Sequence, residues 1–441
     1  MHTLLKSTYE NPIPIEKKIK LKDKINPVLS NKCRRRLKYM HHSSFDWKYG
    51  GISSPIKFID RDSVEYSLET GSNGDINEKR MAKLTLDNAI ALIDPVWGGV
   101  YQYSTLGRWD MPHYRKTIAA QAGHLRLYSL AYSYMKSGNY LDVTKSIQKY
   151  VLNFMTSRNG VFYTSQSGAI SGIDSVKYFS LQKLKREEIG IPEINKQVLT
   201  RDNGWLIEAL GTHAEYCGDT KSLSMAIKAA KWINDSFRNS DGGYRKNKTT
   251  KSTQYLSDTL AMARAMLQLY RCTFNKKYLD YSCQSLDFIN SNFRNSFFGF
   301  CNTIYNTNDN AARCQIDENI SLTRFANLLK FYSNKDNYND VVKHGLRYLS
   351  IPEVATARVE EAGVLLVDKE TRMPPLTINI FGNIGNPKIS EFLNIAHRKE
   401  GWYKLIKIYE SNADSVSIEI DGFKSKPVYT PEELNRLLLT H

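Results

Sequence analysis

Polar side chains recur just before or within the first turn of successive predicted helices, and these residues could do chemistry together. They are Arg201, Asp202, Asn203, Asp258, Arg313 and Asp317. If equivalent helices form a ring, their N-terminal ends meet at one mouth, where helix dipoles favour carboxylates and anionic ligands. Asp and Asn are also the preferred helix N-caps, so each residue taken alone could serve as a cap.

One further cluster contains more functional groups than a helix cap requires. It consists of Tyr103, Arg108, Trp109, Asp110 and His113. A cap needs one acceptor oxygen, whereas this cluster adds a stacking face and an imidazole that titrates near neutral pH. His113 could be a general base with Asp110 or Asp258 as its acid partner, as sugar epimerisation and glycoside hydrolysis require. We predict these three as catalytic. The residues predicted to bind the ligand are Tyr103, Arg108, Trp109, Asp202, Asn203, Arg313 and Asp317.

Other kinds of site are disfavoured by what the sequence lacks. Its six cysteines are scattered, and no Cys or His pair has the spacing of metal ligands. No glycine-rich phosphate loop, dinucleotide fingerprint or nucleophile elbow occurs. We therefore predict no metal and no cofactor, and we expect reduced, mostly buried thiols.

The net charge of +16 raises the question of nucleic-acid binding. About half of this charge lies in the first forty residues, which form a basic arm without aromatic stacking platforms. Sequence-specific nucleic-acid binding is therefore not expected. No apolar run is long enough for a membrane span, and the N-terminus lacks a secretory signal. We expect a cytoplasmic protein without membrane association.

Helical periodicity dominates the middle of the chain, in units that share one pattern. Each unit is an apolar helical stretch, a turn of Gly, Asn or Asp, and a second helix, which together make a helical hairpin. The first helices cover residues 116–134, 205–216, 256–270 and 320–332, with a fainter unit at 78–93. Alternating apolar residues at 376–382 and 416–420 predict strands. We predict a mainly α toroid over 46–374, a flexible basic arm over 1–45 and a small α/β lobe over 375–441.

Several motifs resemble one known family. Residues 97–104, followed by Arg108, Trp109 and 111–116, resemble the signature of the spermatogenesis-associated, thioredoxin-domain-containing proteins. Residues 50–58, 199–204, 255–260 and 426–434 resemble further parts of it. The resemblance implies an (α/α)6 barrel related to N-acylglucosamine 2-epimerases and six-hairpin glycosidases, and hence a sugar-like ligand by analogy of fold. The family's thioredoxin-like domain has no counterpart, so a redox role from that domain is not expected.

The departures from the family pattern bear on catalysis. Gln102 and Arg115 stand where the family has Arg and Glu, and the uncharged residues 167–169 replace an acidic segment. Our leading hypothesis is an isomerase, epimerase or glycoside hydrolase acting on a small polar or sugar-like ligand at the mouth. The alternative is a catalytically silent relative that binds a ligand or a separate protein partner through its cavity or its basic arm.

Overall fold

The computed structural model describes residues 25–249, 254–304, 313–359, 362–383, 386–410, 416–420 and 428–439. Its helices are α1 (Asn31–Ser43), α2 (Arg61–Ser72), α3 (Ile76–Ala89), α4 (Ile118–Met135), α5 (Gly138–Tyr150), α6 (Ser175–Ser180), α7 (Lys183–Ile189), α8 (Thr200–Cys217), α9 (Thr220–Phe237), α10 (Leu256–Thr273), α11 (Lys276–Asn292), α12 (Ile316–Ser333), α13 (Tyr338–Leu349), α14 (Pro352–Ala355), α15 (Ala362–Arg372), α16 (Pro387–Arg398) and α17 (Pro431–Leu439). Its strands are β1 (Tyr103–Ser104), β2 (Pro112–His113), β3 (Lys116–Thr117), β4 (Ser165–Gln166), β5 (Ile194–Asn195), β6 (Leu376–Gly382), β7 (Lys404–Glu410) and β8 (Ser417–Ile420).

Six of these helices form a closed inner ring. In order around the ring they are α2, α4, α8, α10, α12 and α15, and α15 packs back against α2. Each inner helix has an outer partner: α3, α5, α9, α11 and α13 follow their inner helices in the chain, and α1 packs on α15. The predicted (α/α)6 toroid is therefore confirmed.

The turns from inner to outer helices are short because one residue reverses the backbone. Lys136, Gly218, Phe274 and Asn334 end α4, α8, α10 and α12 in the left-handed conformation, with φ between 51° and 74°. Only Gly218 adopts this conformation without steric cost. After the turn, Asp219 accepts a hydrogen bond from the Ser222 amide and starts α9.

The connections from outer to inner helices are longer and repeat one backbone motif. Isolated β-bridges pair Ile93 with Val100, Thr156 with Phe162, Arg238 with Tyr244, and Arg294 with Phe300. Glycines with positive φ, at positions 98, 99, 160, 242 and 299, turn the chain inside these bridges. The paired glycines in the sequence therefore belong to tight turns of the scaffold.

The fourth residue of four inner helices holds the preceding bridge in place. Asn203 accepts from the Phe162 amide (2.9 Å) and donates to the Phe162 carbonyl (3.1 Å). Gln121 and Asn319 bond in the same way to Val100 and Phe300, and Thr259 accepts from the Tyr244 amide. We call Gln121, Asn203, Thr259 and Asn319 the clamp residues. They fix the positions at which α4, α8, α10 and α12 begin.

Part of the N-terminal arm that we predicted to be flexible belongs to the ring. Residues 31–43 form α1, which buries Cys33, Leu37 and His41. The Arg34 guanidinium also makes a bidentate pair with Asp368 of α15, at 2.7 and 2.8 Å. Residues at i, i+4 and i+8 form an apolar stripe on a helix, and the neighbouring run of basic residues obscured it. The remainder of the arm up to residue 24 lies outside the described residues.

The C-terminal lobe covers one end of the barrel. Strand β6 is parallel to β7 and antiparallel to β8, and α16 packs against α8. Tyr216, Arg271 and Tyr332, in the last turns of α8, α10 and α12, donate hydrogen bonds to carbonyls of Gly401, Trp402 and Lys404. The opposite end of the barrel, where the inner helices begin, is the mouth. Within the described residues no helix is long and apolar enough to span a bilayer.

Candidate functional site

Charged side chains from the inner helices fill the centre of the ring. They carry both signs, and little of each side chain is exposed. We call them the ionic belt: Glu65, Arg126, Glu208, Arg264, Arg324 and Glu370. Arg126 of α4 lies 2.6 Å from Glu65 of α2 and 3.4 Å from Glu208 of α8. Buried ions need such partners because each loses its hydration.

The belt continues across the ring and meets a tryptophan from the lobe. Arg324 of α12 bonds to Glu65 at 2.8 Å and to Glu370 of α15 at 2.7 Å. Its guanidinium lies 5.1 Å from the centroid of the Trp402 ring, and Arg126 and Arg264 lie 5.9 and 5.3 Å from it. Such contacts are attractive cation–π interactions. Trp402 and the belt therefore fill the barrel between its centre and the lobe.

A second polar group lies at the mouth, where Asp202 and Asp258 are buried and Arg201, Trp205 and Glu318 are half-buried. We call Arg201, Asp202, Trp205, Asp258 and Glu318 the mouth cluster. The Arg201 amide donates to Asp258 Oδ1 at 3.0 Å, and Arg201 Nε lies 3.4 Å from Asp202 Oδ1. The Arg201 guanidinium also lies 4.7 Å from the Trp205 ring centroid. Arg201 of α8 thus contacts Asp202 and the Trp205 ring through its guanidinium, and Asp258 of α10 through its backbone amide.

The carboxyl groups of the mouth cluster differ in proton affinity. Burial raises the pKa of Glu318 to about 8; the charge of Arg201 opposes this rise, and Asp317 and Asp258 add to it. Glu318 Oε2 is buried and has no hydrogen-bond partner within the described part of the chain. Burial raises the pKa of Asp258 to about 6, against the hydrogen bond from the Arg201 amide. At pH 7 Glu318 therefore holds a proton while most Asp258 is ionised.

The three acids occupy the same position in successive inner helices. Asp202, Asp258 and Glu318 are each the third residue of their helix, directly before a clamp residue. The corresponding residue of α4 is Ala120. The sequence predicted roles for Asp202 and Asp258, but it assigned none to Glu318 or Trp205. Aligning the helices on their clamp residues would have revealed Glu318.

The cluster around His113 lies on a surface hairpin. His113 is exposed on β2 and stacks on Tyr103 of β1, with ring centroids 4.8 Å apart. Arg108 and Asp110 form an exposed ion pair. Trp109 is buried, and its indole nitrogen donates to the Tyr49 carbonyl at 2.7 Å, so it anchors the hairpin to the scaffold. The catalytic roles of His113 and Asp110 stay predictions.

The other predicted ligand-binding residues have separate surroundings. The side-chain amide of Asn203 forms hydrogen bonds with the backbone amide and carbonyl of Phe162. Arg313 is exposed, and its backbone pairs with Asn302. Asp317 is exposed and accepts a hydrogen bond from Arg358 at 2.7 Å. Of the ligand-binding residues that we predicted, only Asp202 lies in the mouth cluster, where it joins Asp258 from the catalytic set.

A small cavity lies among α1, α2, α3 and the loop that contains Gly51, beside Asp60 at the start of α2. His41 and Ser67 line it, and both are hydrogen-bonded to the buried Glu78. These polar groups already have partners within the protein. In the mouth cluster, by contrast, Glu318 Oε2 has no hydrogen-bond partner among the described residues, so the mouth cluster is the better candidate site. No group of three potential metal ligands occurs among the described residues.

The comparison with known proteins bears on the predicted resemblance. No model of a protein family matches the chain. Over 148 residues it is 26% identical to spermatogenesis-associated protein 20 of Homo sapiens and 27% identical to the Mus musculus protein. The predicted resemblance is confirmed. Each match covers 32% of this chain and 18% of the relative, so the matched region is a small part of those proteins.

Solved structures with low sequence identity share the fold. A cellobiose 2-epimerase from Spirochaeta thermophila covers 77% of this chain and 97% of its own, with a TM-score of 0.60 and 8% identity. A cellobiose 2-epimerase from Bacillus thermoamylovorans has a TM-score of 0.58, 10% identity and coverages of 72% and 86%. An α-mannanase from Bacteroides thetaiotaomicron has a TM-score of 0.56, 12% identity and coverages of 77% and 95%. At these identities the likeness concerns the architecture alone.

Proposed function

We propose that the mouth cluster binds a sugar-like ligand and carries out acid-assisted hydrolysis of a glycosidic bond. Glu318 is the proton donor and Asp258 is the ionised carboxylate. The observation that carries this proposal is the unequal proton affinity of these two carboxyl groups, on neighbouring helices of the ring. Two carboxyl groups whose surroundings separate their pKa values are the usual acid and base of glycoside hydrolysis.

Each member of the cluster has a definite task in this scheme. Protonated Glu318 gives its proton to the departing glycosidic oxygen, and Asp258 activates water or stabilises the positive charge that develops on the sugar. Trp205 offers an apolar ring face, and Arg201 and Asp202 offer hydrogen bonds to hydroxyl groups. The fold is shared with sugar epimerases and a mannanase, which supports a carbohydrate ligand by analogy of fold.

A substrate panel tests the proposal. Nitrophenyl glycosides and disaccharides report hydrolysis, and free sugars followed by NMR report epimerisation or isomerisation. We expect hydrolysis by the wild-type protein, and a loss of about 10²-fold or more in kcat for Glu318→Gln, as for other general acids. Asp235→Asn is the matched control, because Asp235 is exposed on the outer helix α9, where it pairs with Lys231, and should leave kcat unchanged.

His113→Ala belongs in the same experiment. A loss of about 10²-fold would support the general-base role that the sequence predicted, whereas unchanged turnover would assign the chemistry to the mouth cluster alone. Absence of turnover with every substrate, or full activity of Glu318→Gln, would contradict the hydrolase proposal.

One observation favours binding without turnover as a second candidate function. The ionic belt and Trp402 fill the barrel below the mouth, so a ligand has access only to the mouth cluster. A silent relative should bind sugars in calorimetry without converting them, and Trp205→Ala should abolish that binding. A protein partner held by the basic arm is tested by deleting residues 1–24, because a longer deletion would remove α1 from the ring.

A further inference from the structure

Two cysteines face each other immediately before α12. Cys301 and Cys314 are partners in an isolated antiparallel bridge, and their Sγ atoms are 3.3 Å apart. The adjacent Asn302 amide donates to the Arg313 carbonyl at 2.9 Å, and the Tyr348 hydroxyl donates to the Cys314 carbonyl at 2.8 Å. Backbone hydrogen bonds on one side and a tyrosine on the other thus hold the two thiols together.

The geometry suits a covalent bond between them. Directly opposed residues of an antiparallel pair have Cα atoms about 4.5 to 5.5 Å apart, which is within the range that a disulfide spans. Cys301 is fully buried and Cys314 is half-buried. An oxidant from solvent therefore reaches Cys314 first, and Cys301 lies behind it.

Burial slows the oxidation of the other four cysteines. Burial raises the pKa of Cys33 and Cys283, and it raises the pKa of Cys217 to about 11 and that of Cys272 to about 12. Since the thiolate is the reactive form, these thiols react slowly at neutral pH. They serve as internal references for the facing pair.

We propose that Cys301 and Cys314 are a redox modification site that forms a reversible disulfide with a peroxide or a small-molecule disulfide as oxidant. With hydrogen peroxide, the Cys314 thiolate attacks one oxygen, the O–O bond breaks, and a sulfenic acid and hydroxide result. The Cys301 thiolate then attacks the sulfenic sulfur and expels hydroxide. In total, two thiols and one peroxide give one disulfide and two waters, and a dithiol reductant reverses the oxidation.

The disulfide would tie down the chain that leads into α12. Cys301 follows Phe300, whose amide and carbonyl are held by the clamp residue Asn319. A crosslink there closes a loop in the unfolded chain and so favours the folded state. Oxidation should therefore raise the melting temperature. This inference does not depend on the proposed hydrolase activity.

Tryptic mapping of the full-length protein tests the proposal. Cleavage after Arg294, Arg313 and Arg324 places the two cysteines on separate peptides, 295–313 and 314–324. After treatment with glutathione disulfide and alkylation, we expect these peptides joined, with two hydrogens fewer than the separate peptides, and released by dithiothreitol. Oxidation should lower the thiol count of the denatured protein from six to four and raise its melting temperature by a few degrees.

Two single variants make the result decisive. Cys314→Ala should lose the joined peptide and the shift in melting temperature, whereas Cys217→Ala should keep both. Unchanged alkylation of Cys301 and Cys314 after oxidation would overturn the proposal. Glutathione attached to Cys314 without the joined peptide would also overturn it, because the facing geometry would then not lead to a bond.

Discussion

Replacing Glu318 with glutamine should stabilise the folded protein at neutral pH, although it removes the proposed proton donor. The carboxyl is neutral in the folded state because burial raises its pKa to about 8 from an ordinary value of 4.5. In the unfolded chain the same group is ionised at pH 7. Ionisation therefore favours the unfolded state, and a glutamine of nearly the same shape removes this penalty.

The size of the effect follows from the two pKa values. Ionisation of the unfolded side chain lowers its free energy by about 1.4 kcal/mol for each pH unit above 4.5, up to the folded pKa. At pH 7 this amounts to about 3 kcal/mol as an upper limit, and at pH 5 to less than about 1 kcal/mol. Because the pKa of Glu318 is higher in the folded than in the unfolded protein, its contribution to stability is complete below pH 4.5 and is lost as the pH rises to 8.

Urea unfolding at pH 5 and pH 7, followed by tryptophan fluorescence, measures this difference. Glu318→Gln should unfold at a higher urea concentration than the wild type at pH 7 and at nearly the same concentration at pH 5. Asp235→Asn on the outer helix α9 is the control, with a change within about 0.5 kcal/mol as for most surface substitutions. Equal or lower stability of Glu318→Gln at pH 7 would refute the reasoning, since the folded carboxyl would then not be neutral.

Three further predictions concern the scaffold. Asn203→Leu should lower the free energy of unfolding by about 2 to 3 kcal/mol, because the buried amide and carbonyl of Phe162 lose their hydrogen-bond partner. Thr259→Val should lower it less, because only the hydrogen bond from the Tyr244 amide is lost. Thermal melts of the two variants measure the difference. Trp402→Ala should cost about 3 to 5 kcal/mol and make the C-terminal lobe susceptible to limited proteolysis. Arg324→Met should cost about 3 to 5 kcal/mol at pH 8 in urea unfolding. This cost should be smaller at pH 5, because Glu370, whose pKa burial raises to about 7, then carries a proton.

The repeated hairpins could be predicted from sequence because their signals are local. Apolar residues at helical spacing and breaks such as Gly218 lie within one hairpin, and Gly218 is the left-handed residue that ends α8. The strands of the C-terminal lobe were equally clear from alternation over 376–382. Helix α1 was missed because its apolar stripe is short and lies beside a run of arginines.

The contents of the barrel could not be predicted in the same way. Glu65 and Arg324 are 259 positions apart in the chain, and no local pattern links them. The roles of Asn203 and Trp109 were also ambiguous, because an amide or an indole suits a ligand as well as a scaffold. Burial and hydrogen-bond partners, which only the folded chain supplies, place both side chains in the scaffold.

The contact between α1 and α15 also sets an order of events during synthesis. Arg34 and Asp368 are separated by 334 positions, so the ring cannot close until more than four-fifths of the chain has been made. Hairpins from α2 to α13 form from local contacts as they emerge, and α1 can meet α2 and α3 early through His41. Arg34 of α1, in contrast, has no Asp368 to pair with until α15 is made. Contacts between distant segments form late because a large loop must close first. The side of α1 that carries Arg34 is therefore completed only when the last helix of the ring has been made.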